Sequence, residues 1–154
     1  PVARLTLRPE AVPDTLAHLF DIAGLDEGAQ RRWFADDIAH LATQFAALMK
    51  APYLRLRLDA VTTNACSKFH VDAMLARLIC TYRGSGTQYG IAEAGAEPPQ
   101  ISQAPTGAPM ILRGTLWPQD PPSGLRHRSP PIAGTGETRL VLVLDPIYDI
   151  EDAD

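Results

Sequence analysis

The chain has 154 residues, of which 45% are hydrophobic, so it is long enough to bury the core of one domain. Its 14 prolines and 11 glycines exceed what a helical bundle tolerates, because proline ends a helix or forces a turn. The formal net charge of −4 gives no reason to expect a nucleic-acid-binding surface, which needs clustered lysine and arginine. These counts favour a mainly β or α+β domain with many loops.

The composition also bears on the cellular compartment. No apolar run approaches the ~20 residues of a membrane-spanning helix, and we expect no membrane partner. The two cysteines, Cys66 and Cys80, are too few for the disulfide framework of a small secreted scaffold. We therefore predict a cytoplasmic protein with reduced thiols.

The N-terminal third predicts one long helix. The first 13 residues, which include Pro9 and Pro13, are predicted to be extended. From Asp26 to Lys50 the apolar residues recur at three- and four-residue spacing, the pattern of an amphipathic helix of about six turns. These residues are Trp33, Phe34, Ile38, Leu41, Phe45, Leu48 and Met49. We expect residues 1–51 to form a helical cover over one face of a sheet.

After Pro52 the hydrophobic period changes to two. Leu54 and Leu56 alternate with Arg55 and Arg57, which is typical of a half-buried strand. Further strands are predicted at Lys68–Asp72, Arg77–Tyr82, Met110–Arg113, Leu125–Ser129 and Thr138–Asp145.

Turns rich in glycine and proline separate these strands, and residues 90–103 and 117–124 are predicted to be longer loops. Residues 52–146 are therefore predicted to form an antiparallel barrel or jelly roll. Residues 147–154 are predicted to form a solvated acidic tail, and the whole chain, residues 1–154, a single domain.

The segment from Lys68 to Asp72 carries the strongest signal for a functional site. Residues two apart on a strand point to the same face, so His70 and Asp72 can converge on one ion. His127, on a distant strand, would complete a set of two imidazoles and one carboxylate on one side of a metal. This set suits non-haem Fe(II), because it leaves positions open for substrate and dioxygen. We predict His70, Asp72 and His127 as metal ligands.

Arg139 opens a strongly apolar strand, where a lone charge needs a reason. One reason is a buried anionic ligand, because a guanidinium can bind a carboxylate through two parallel hydrogen bonds. The alternative is that Arg139 lies at the strand end and reaches water or a surface acid.

The His-x-Asp motif, the distal histidine and the late basic residue together resemble the Fe(II)/2-oxoglutarate dioxygenases. That resemblance implies a double-stranded β-helix, also called a jelly roll or cupin-like fold, with the N-terminal amphipathic helix packed on the sheet. It implies that His70, Asp72 and His127 bind iron and that Arg139 binds the distal carboxylate of the small-molecule co-substrate 2-oxoglutarate. Arg128 is the alternative residue for that role, and the primary substrate stays open.

Three blocks of the chain also resemble a narrower bacterial family called domain of unknown function 1826. These blocks are residues 65–72, 80–87 and 127–131, and the likeness covers most of the chain. The family has no established reaction. Its members tend to lie near zinc-homeostasis genes, which implies a link to metal supply.

Two further residues are predicted to bind the co-substrate. Tyr82 and Arg83 end a strand just before a Gly-Ser-Gly turn, which would place them at the barrel mouth. The alternative is that Tyr82 is a rim aromatic and Arg83 a solvated turn charge.

Cys66, Lys68 and Arg128 are predicted to lie around the ligands. On an unbroken strand Cys66 would share the face of His70, as a further ligand, a redox-sensitive thiol or a small apolar filler. Lys68 would have the same parity, so it would either reach the rim or neutralise a bound anion.

Our leading hypothesis from the sequence is an Fe(II)- and 2-oxoglutarate-dependent oxygenase of open substrate. The alternative is a cupin-like zinc protein that stores, senses or delivers metal, in which Cys66 joins His70 and His127 as a softer ligand set. A third hypothesis is an interaction module whose barrel has lost its metal, and the intact triad argues against it.

Overall fold

The computed structural model describes residues 2–119 and 124–153. In this part of the chain the helices are α1 (Val12–Ile22) and α2 (Ala29–Met49), with short 3-10 helices at Pro9–Ala11 and Ile150–Asp152. The strands are β1 (Val2–Leu7), β2 (Tyr53–Val61), β3 (Ala76–Arg83), β4 (Gln88–Ile91), β5 (Ser102–Gln103), β6 (Pro109–Arg113), β7 (Leu125–Arg128) and β8 (Arg139–Ile147).

The strands form two sheets, one in the order β1-β2-β8-β3-β6 and the other in the order β5-β4-β7. β3 pairs antiparallel with β6, and β4 pairs antiparallel with both β5 and β7. The chain divides into two compact units. The first contains Val2 and the described residues between 57 and 143, and the second contains residues 3–56 and 144–153.

The second unit contains both helices. Helix α2 lies where the sequence predicts it and ends at Met49, because Lys50 adopts a left-handed conformation with φ 51°. The Ala51 N–H then donates to the Ala46 carbonyl at 2.9 Å, which closes the helix before Pro52. Helix α1 buries Val12, Leu16 and Phe20, and α2 buries Ile38, Leu41, Ala42, Phe45, Ala46 and Met49.

The prediction that the first 13 residues are extended is correct for β1 and wrong beyond it. Pro9 and Pro13 lie in the first turn of the 3-10 helix and of α1, respectively. Proline is favoured there, since its missing N–H has no partner in a first turn and its fixed φ suits a helix. Two prolines that suggested an extended segment therefore begin helices.

The first unit has its own apolar core, formed by Ile79, Leu112, Val141 and Val143. The strands predicted after Pro52 are confirmed, apart from 68–72. Residues 68–72 do not form a strand, and their one ladder contact is an isolated bridge between His70 and His127.

β4 and β5 were not predicted, and they fall at either end of the segment expected to be a loop. Gly90 interrupts the apolar pattern of β4, and this glycine is required by a close approach of the backbone. A Cβ atom at Gly90 would lie 2.5 Å from the Gln100 carbonyl oxygen and 2.5 Å from Pro98. Gly90 therefore marks tight packing inside a strand. In the sequence alone, a glycine at this position resembles a turn signal.

Candidate metal centre

A backbone bridge brings two histidines together. The His70 N–H donates to the His127 carbonyl at 3.0 Å, and the His127 N–H donates to the His70 carbonyl at 3.0 Å. Residues that exchange both hydrogen bonds in an antiparallel pair project their side chains to the same side. The two imidazole rings accordingly lie with their centroids 4.4 Å apart.

Asp72 completes a compact group with the two histidines. Its Oδ1 lies 3.3 Å from His70 Nε2, and its Oδ2 lies 3.2 Å from His127 Nε2. The three ligand atoms all lie within 4.8 Å of one another. The sequence therefore identified residues that converge, although a single bridge, not the predicted strand, positions them.

The hydrogen bonding of His70 fixes its tautomer. Nδ1 of His70 lies 2.8 Å from the Lys68 carbonyl oxygen. Because a carbonyl only accepts hydrogen bonds, Nδ1 carries the proton of the neutral ring and Nε2 keeps its lone pair. That lone pair lies on the nitrogen that faces Asp72.

Asp72 is held as a carboxylate by its neighbours. Desolvation raises the pKa of Asp72, but His127, Arg77 and His70 together outweigh it and hold the pKa below its ordinary value. Nη1 of Arg77 donates to Asp72 Oδ1 at 3.2 Å. Asp72 Oδ2 is buried and lies 3.2 Å from His127 Nε2, and it accepts no hydrogen bond from the described residues. One carboxylate oxygen is thus tied to Arg77, and the other is free to bind a cation.

These residues fit a divalent transition metal. Ligand atoms 2.0–2.1 Å from a zinc ion are about 3.3 Å apart in a tetrahedron, and at right angles they are about 2.9 Å apart. His127 Nε2 lies 3.2 Å from Asp72 Oδ2 and His70 Nε2 lies 3.3 Å from Asp72 Oδ1, both within this range, and the three ligand atoms all lie within 4.8 Å of one another. A metal ion would also satisfy the buried Asp72 Oδ2, whose desolvation is otherwise costly.

A cavity of about 100 Å³ adjoins the group and is lined by His70 and His127. Arg57, Asp59, Arg77, Thr87 and Arg139 supply most of its other polar wall. A second cavity, of about 480 Å³, also reaches His70 and is lined in part by Phe69 and Trp117.

Arg139 is 2% exposed and lines the smaller cavity. Its Nε donates to the Ser85 carbonyl at 2.7 Å, and its Nη2 donates to Thr81 Oγ1 at 3.3 Å. Burial lowers the pKa of Arg139, and the charge of Glu137 opposes that effect. The charge that opens β8 is therefore directed into the protein, so the alternative that Arg139 reaches water is wrong.

Arg128 lies elsewhere. It follows His127 on β7, so its side chain projects to the opposite face of the strand. Its guanidinium lies 4.5 Å from the ring centroid of Phe69, and Nε donates to Gln88 Oε1 at 2.8 Å. Glu97 lies 3.7 Å from Nη1. Arg128 does not line the smaller cavity.

Of the remaining sequence-predicted residues, one lines the smaller cavity and three do not. Cys66 is exposed and lines the smaller cavity, but the expectation of an unbroken strand through it is wrong. Lys68 and Arg83 are exposed and Tyr82 is half-buried, and none of the three lines that cavity. Their predicted roles stay predictions.

Sequence reasoning missed Arg57, Asp59 and Arg77. Arg57 and Asp59 form the polar side of the alternating pattern in β2, and alternation cannot distinguish a solvated face from the wall of a polar cavity. Arg77 lies within a predicted strand, five positions after its partner Asp72. A basic residue so soon after a candidate carboxylate ligand was the available signal.

A family model described as "Protein of unknown function (DUF1826)" matches residues 1–145. The chain belongs to this family. A search of curated proteins finds no match to the chain. Among the described residues no helix is long and apolar enough to cross a membrane.

Solved structures of two plant enzymes resemble this member of the family over almost its whole length. The dioxygenase for auxin oxidation from rice is 14% identical with a TM-score of 0.52, and the match covers 98% of this chain and 58% of that one. Dioxygenase for auxin oxidation 1 from Arabidopsis thaliana, in complex with 2-oxoglutarate, is 16% identical with a TM-score of 0.50, and the match covers 97% of this chain and 64% of that one. The chain therefore spans about six-tenths of the length of these enzymes. The likeness confirms the predicted jelly-roll fold.

A shorter match joins the chain to hydroxypropylphosphonic acid epoxidase from S. wedmorenis. It is 17% identical with a TM-score of 0.39, and it covers 60% of this chain and 42% of the epoxidase. At that score the match supports no argument.

Proposed function

We propose that the chain is a non-haem Fe(II)- and 2-oxoglutarate-dependent oxygenase. The observation that carries the proposal is the buried Asp72 Oδ2, which accepts no hydrogen bond from the described residues and lies 3.2 Å from His127 Nε2, while Asp72 Oδ1 lies 3.3 Å from His70 Nε2. Two imidazoles and one carboxylate are the ligand set of non-haem Fe(II) oxygenases. The fold shared with two plant dioxygenases supports the same class by analogy.

His70, Asp72 and His127 would hold the iron, and Fe(II) would supply the redox chemistry and the open positions for co-substrate and dioxygen. Arg77 positions the carboxylate by binding Oδ1, so that Oδ2 faces the imidazole of His127. The Lys68 carbonyl fixes the ring of His70 in the tautomer that a metal requires. The side chain of His70 is 33% exposed, against 7% for that of His127, so solvent reaches the group on the His70 side.

Arg139 would bind the distal carboxylate of 2-oxoglutarate. A guanidinium has five N–H donors, and contacts to Ser85 and Thr81 use two of them. The remaining donors are available to an anion in the cavity that Arg139 shares with His70 and His127. A carboxylate would also compensate the buried charge, which otherwise carries a desolvation cost. Arg128 suits this role less, because Gln88 and Glu97 already engage it.

The zinc alternative rests on Cys66, which lines the same cavity and has a free thiol. Within the described residues, the group of three or more close ligand atoms contains His70, Asp72 and His127 and does not contain Cys66. A thiolate ligand would require Cys66 to move toward the histidines. This requirement makes zinc the second choice.

The deciding experiment is anaerobic purification followed by elemental analysis and an assay for conversion of 2-oxoglutarate to succinate. We expect one equivalent of iron per chain and turnover that depends on Fe(II). Stoichiometric zinc with no turnover after iron reconstitution would favour the metal-homeostasis alternative. Absence of any bound divalent metal after reconstitution would reject both.

A further inference from the structure

A second arginine of the smaller cavity, Arg57, has no protein partner among the described residues. Arg57, on β2, lines the cavity together with His70, His127 and Arg139. Its Nε is buried and makes no hydrogen bond, and within the described residues its guanidinium makes no hydrogen bond or ion pair. The cavity's other arginines differ, because Arg77 donates to Asp72 and Arg139 donates to Ser85 and Thr81.

The free-energy cost of the unpartnered Arg57 Nε indicates that a ligand accepts its hydrogen bond. Leaving a buried donor unsatisfied is expensive, and the cost is greater for a charged group. Asp59 lines the same cavity but lies beyond ion-pair distance of Arg57. A guanidinium presents its Nε edge to a carboxylate in a bidentate arrangement, and that edge is the part of Arg57 left without a partner.

The carboxylates near the other two arginines are already engaged. Asp72 accepts a hydrogen bond from Arg77, and the charge of Glu137 acts on Arg139 and raises its pKa against the effect of burial. Among the described residues, no carboxylate lies within ion-pair distance of Arg57.

We propose that Arg57 binds a carboxylate of the primary substrate, so that the enzyme acts on a small organic acid. This assignment rests on the proposed function, in which Arg139 takes the co-substrate carboxylate. Arg57 would recognise a carboxylate. Two molecules carry one, the co-substrate and the primary substrate, and competition between acetate and 2-oxoglutarate distinguishes them.

The test follows the Nε–H resonance of Arg57 by nitrogen-proton NMR in the full chain loaded with diamagnetic Zn(II), with and without saturating 2-oxoglutarate. The resonance is assigned by its loss in Arg57→Gln, and the probe is acetate. We expect acetate to shift this resonance saturably even when 2-oxoglutarate is bound. By calorimetry, Arg57→Gln should weaken acetate binding by about tenfold or more, since hydrogen bonds to charged groups contribute about 1.5–3 kcal/mol.

Arg32→Gln is the matched control, because Arg32 is exposed on α2 and its loss changes the net charge equally. This variant should bind acetate like the wild type. Arg57→Gln should keep its affinity for 2-oxoglutarate within about threefold, since Arg139 supplies the co-substrate contact.

Two results would overturn the proposal. An Arg57 resonance that does not respond to acetate, in the presence or absence of 2-oxoglutarate, would show that Arg57 binds no carboxylate. A tenfold loss of 2-oxoglutarate affinity in Arg57→Gln, with acetate excluded by 2-oxoglutarate, would assign Arg57 to the co-substrate. Failure of the proposed function gives a different result, because the wild-type chain would then bind no 2-oxoglutarate. The response of the Arg57 resonance to acetate is still measured without 2-oxoglutarate, so it tests Arg57 independently.

Discussion

Replacing His127 by alanine should abolish metal-dependent stabilisation of the fold. His127 Nε2 lies 3.2 Å from Asp72 Oδ2 and is buried, so its loss removes one of the three proposed ligands and opens the group. A metal present at 100 times its Kd stabilises the native state by about 2.7 kcal/mol. For a chain of 154 residues, at about 2–4 °C per kcal/mol, this raises the Tm by roughly 5–10 °C. In His127→Ala, and equally in His70→Ala, the metal-induced rise should fall close to zero.

The measurement is thermal unfolding of wild type and variants with a chelator and with added Fe(II) or Zn(II). Each protein is compared with itself, so a change in stability of the metal-free variant does not enter the result. His40→Ala is the matched control, because His40 is exposed on α2 and does not belong to the group. A rise in both triad variants equal to that of the wild type would refute the ligand assignment.

Three further predictions follow from single contacts. Arg139→Leu should remove detectable 2-oxoglutarate binding in calorimetry of the metal-loaded chain, because the buried guanidinium is lost, and equal affinity would exclude its proposed role. Arg77→Gln should weaken metal affinity in a chelator competition by about 10–100-fold, the usual effect of losing a residue that positions a ligand, and an unchanged affinity would contradict that role. Gly114→Ala should destabilise the fold by about 1–3 kcal/mol in denaturant unfolding, since its Cβ would press on the Met74 and Asp72 carbonyl oxygens, whereas Gly28→Ala meets open space and should have a smaller effect.

Much of the barrel could be predicted from the sequence, because the hydrophobic period depends on local burial. The strands that contain residues 54–58 and 139–145 alternate or run apolar as expected, and both are present. The missed β4 and β5 are short, and their pairing is decided by contacts with distant residues such as Gln100 and Pro98. No local pattern records such contacts.

The candidate site could be predicted only as a set of residue types. His70 and Asp72 converge with His127 because one antiparallel bridge joins two segments distant in sequence. The identity of the three converging residues was therefore accessible, whereas the partners that orient them were not. Arg77 and the Lys68 carbonyl act through contacts that only the folded chain makes. Arg57 lines the cavity from β2, although the alternating spacing of polar residues in that strand is also typical of a solvated face.

Cys66 provides the last prediction, because it separates an oxygenase from a zinc carrier. A thiolate is a soft ligand that favours zinc, whereas the oxygenase triad needs two imidazoles and one carboxylate. Cys66 lines the cavity but does not belong to the close group of ligand atoms, so we expect Cys66→Ser to keep metal affinity within about threefold, the change left when no ligand bond is lost. The measurement is a competition titration of Zn(II) and Fe(II) against a chromophoric chelator, with wild type beside Cys66→Ser, and Cys80→Ser serves as a control for a buried thiol away from the cavity. A large loss that affects zinc alone would mean that Cys66 moves to bind the ion, and it would make the zinc protein the better description. A small change that is equal for both metals would leave the three triad residues as the complete protein ligand set, as the oxygenase requires.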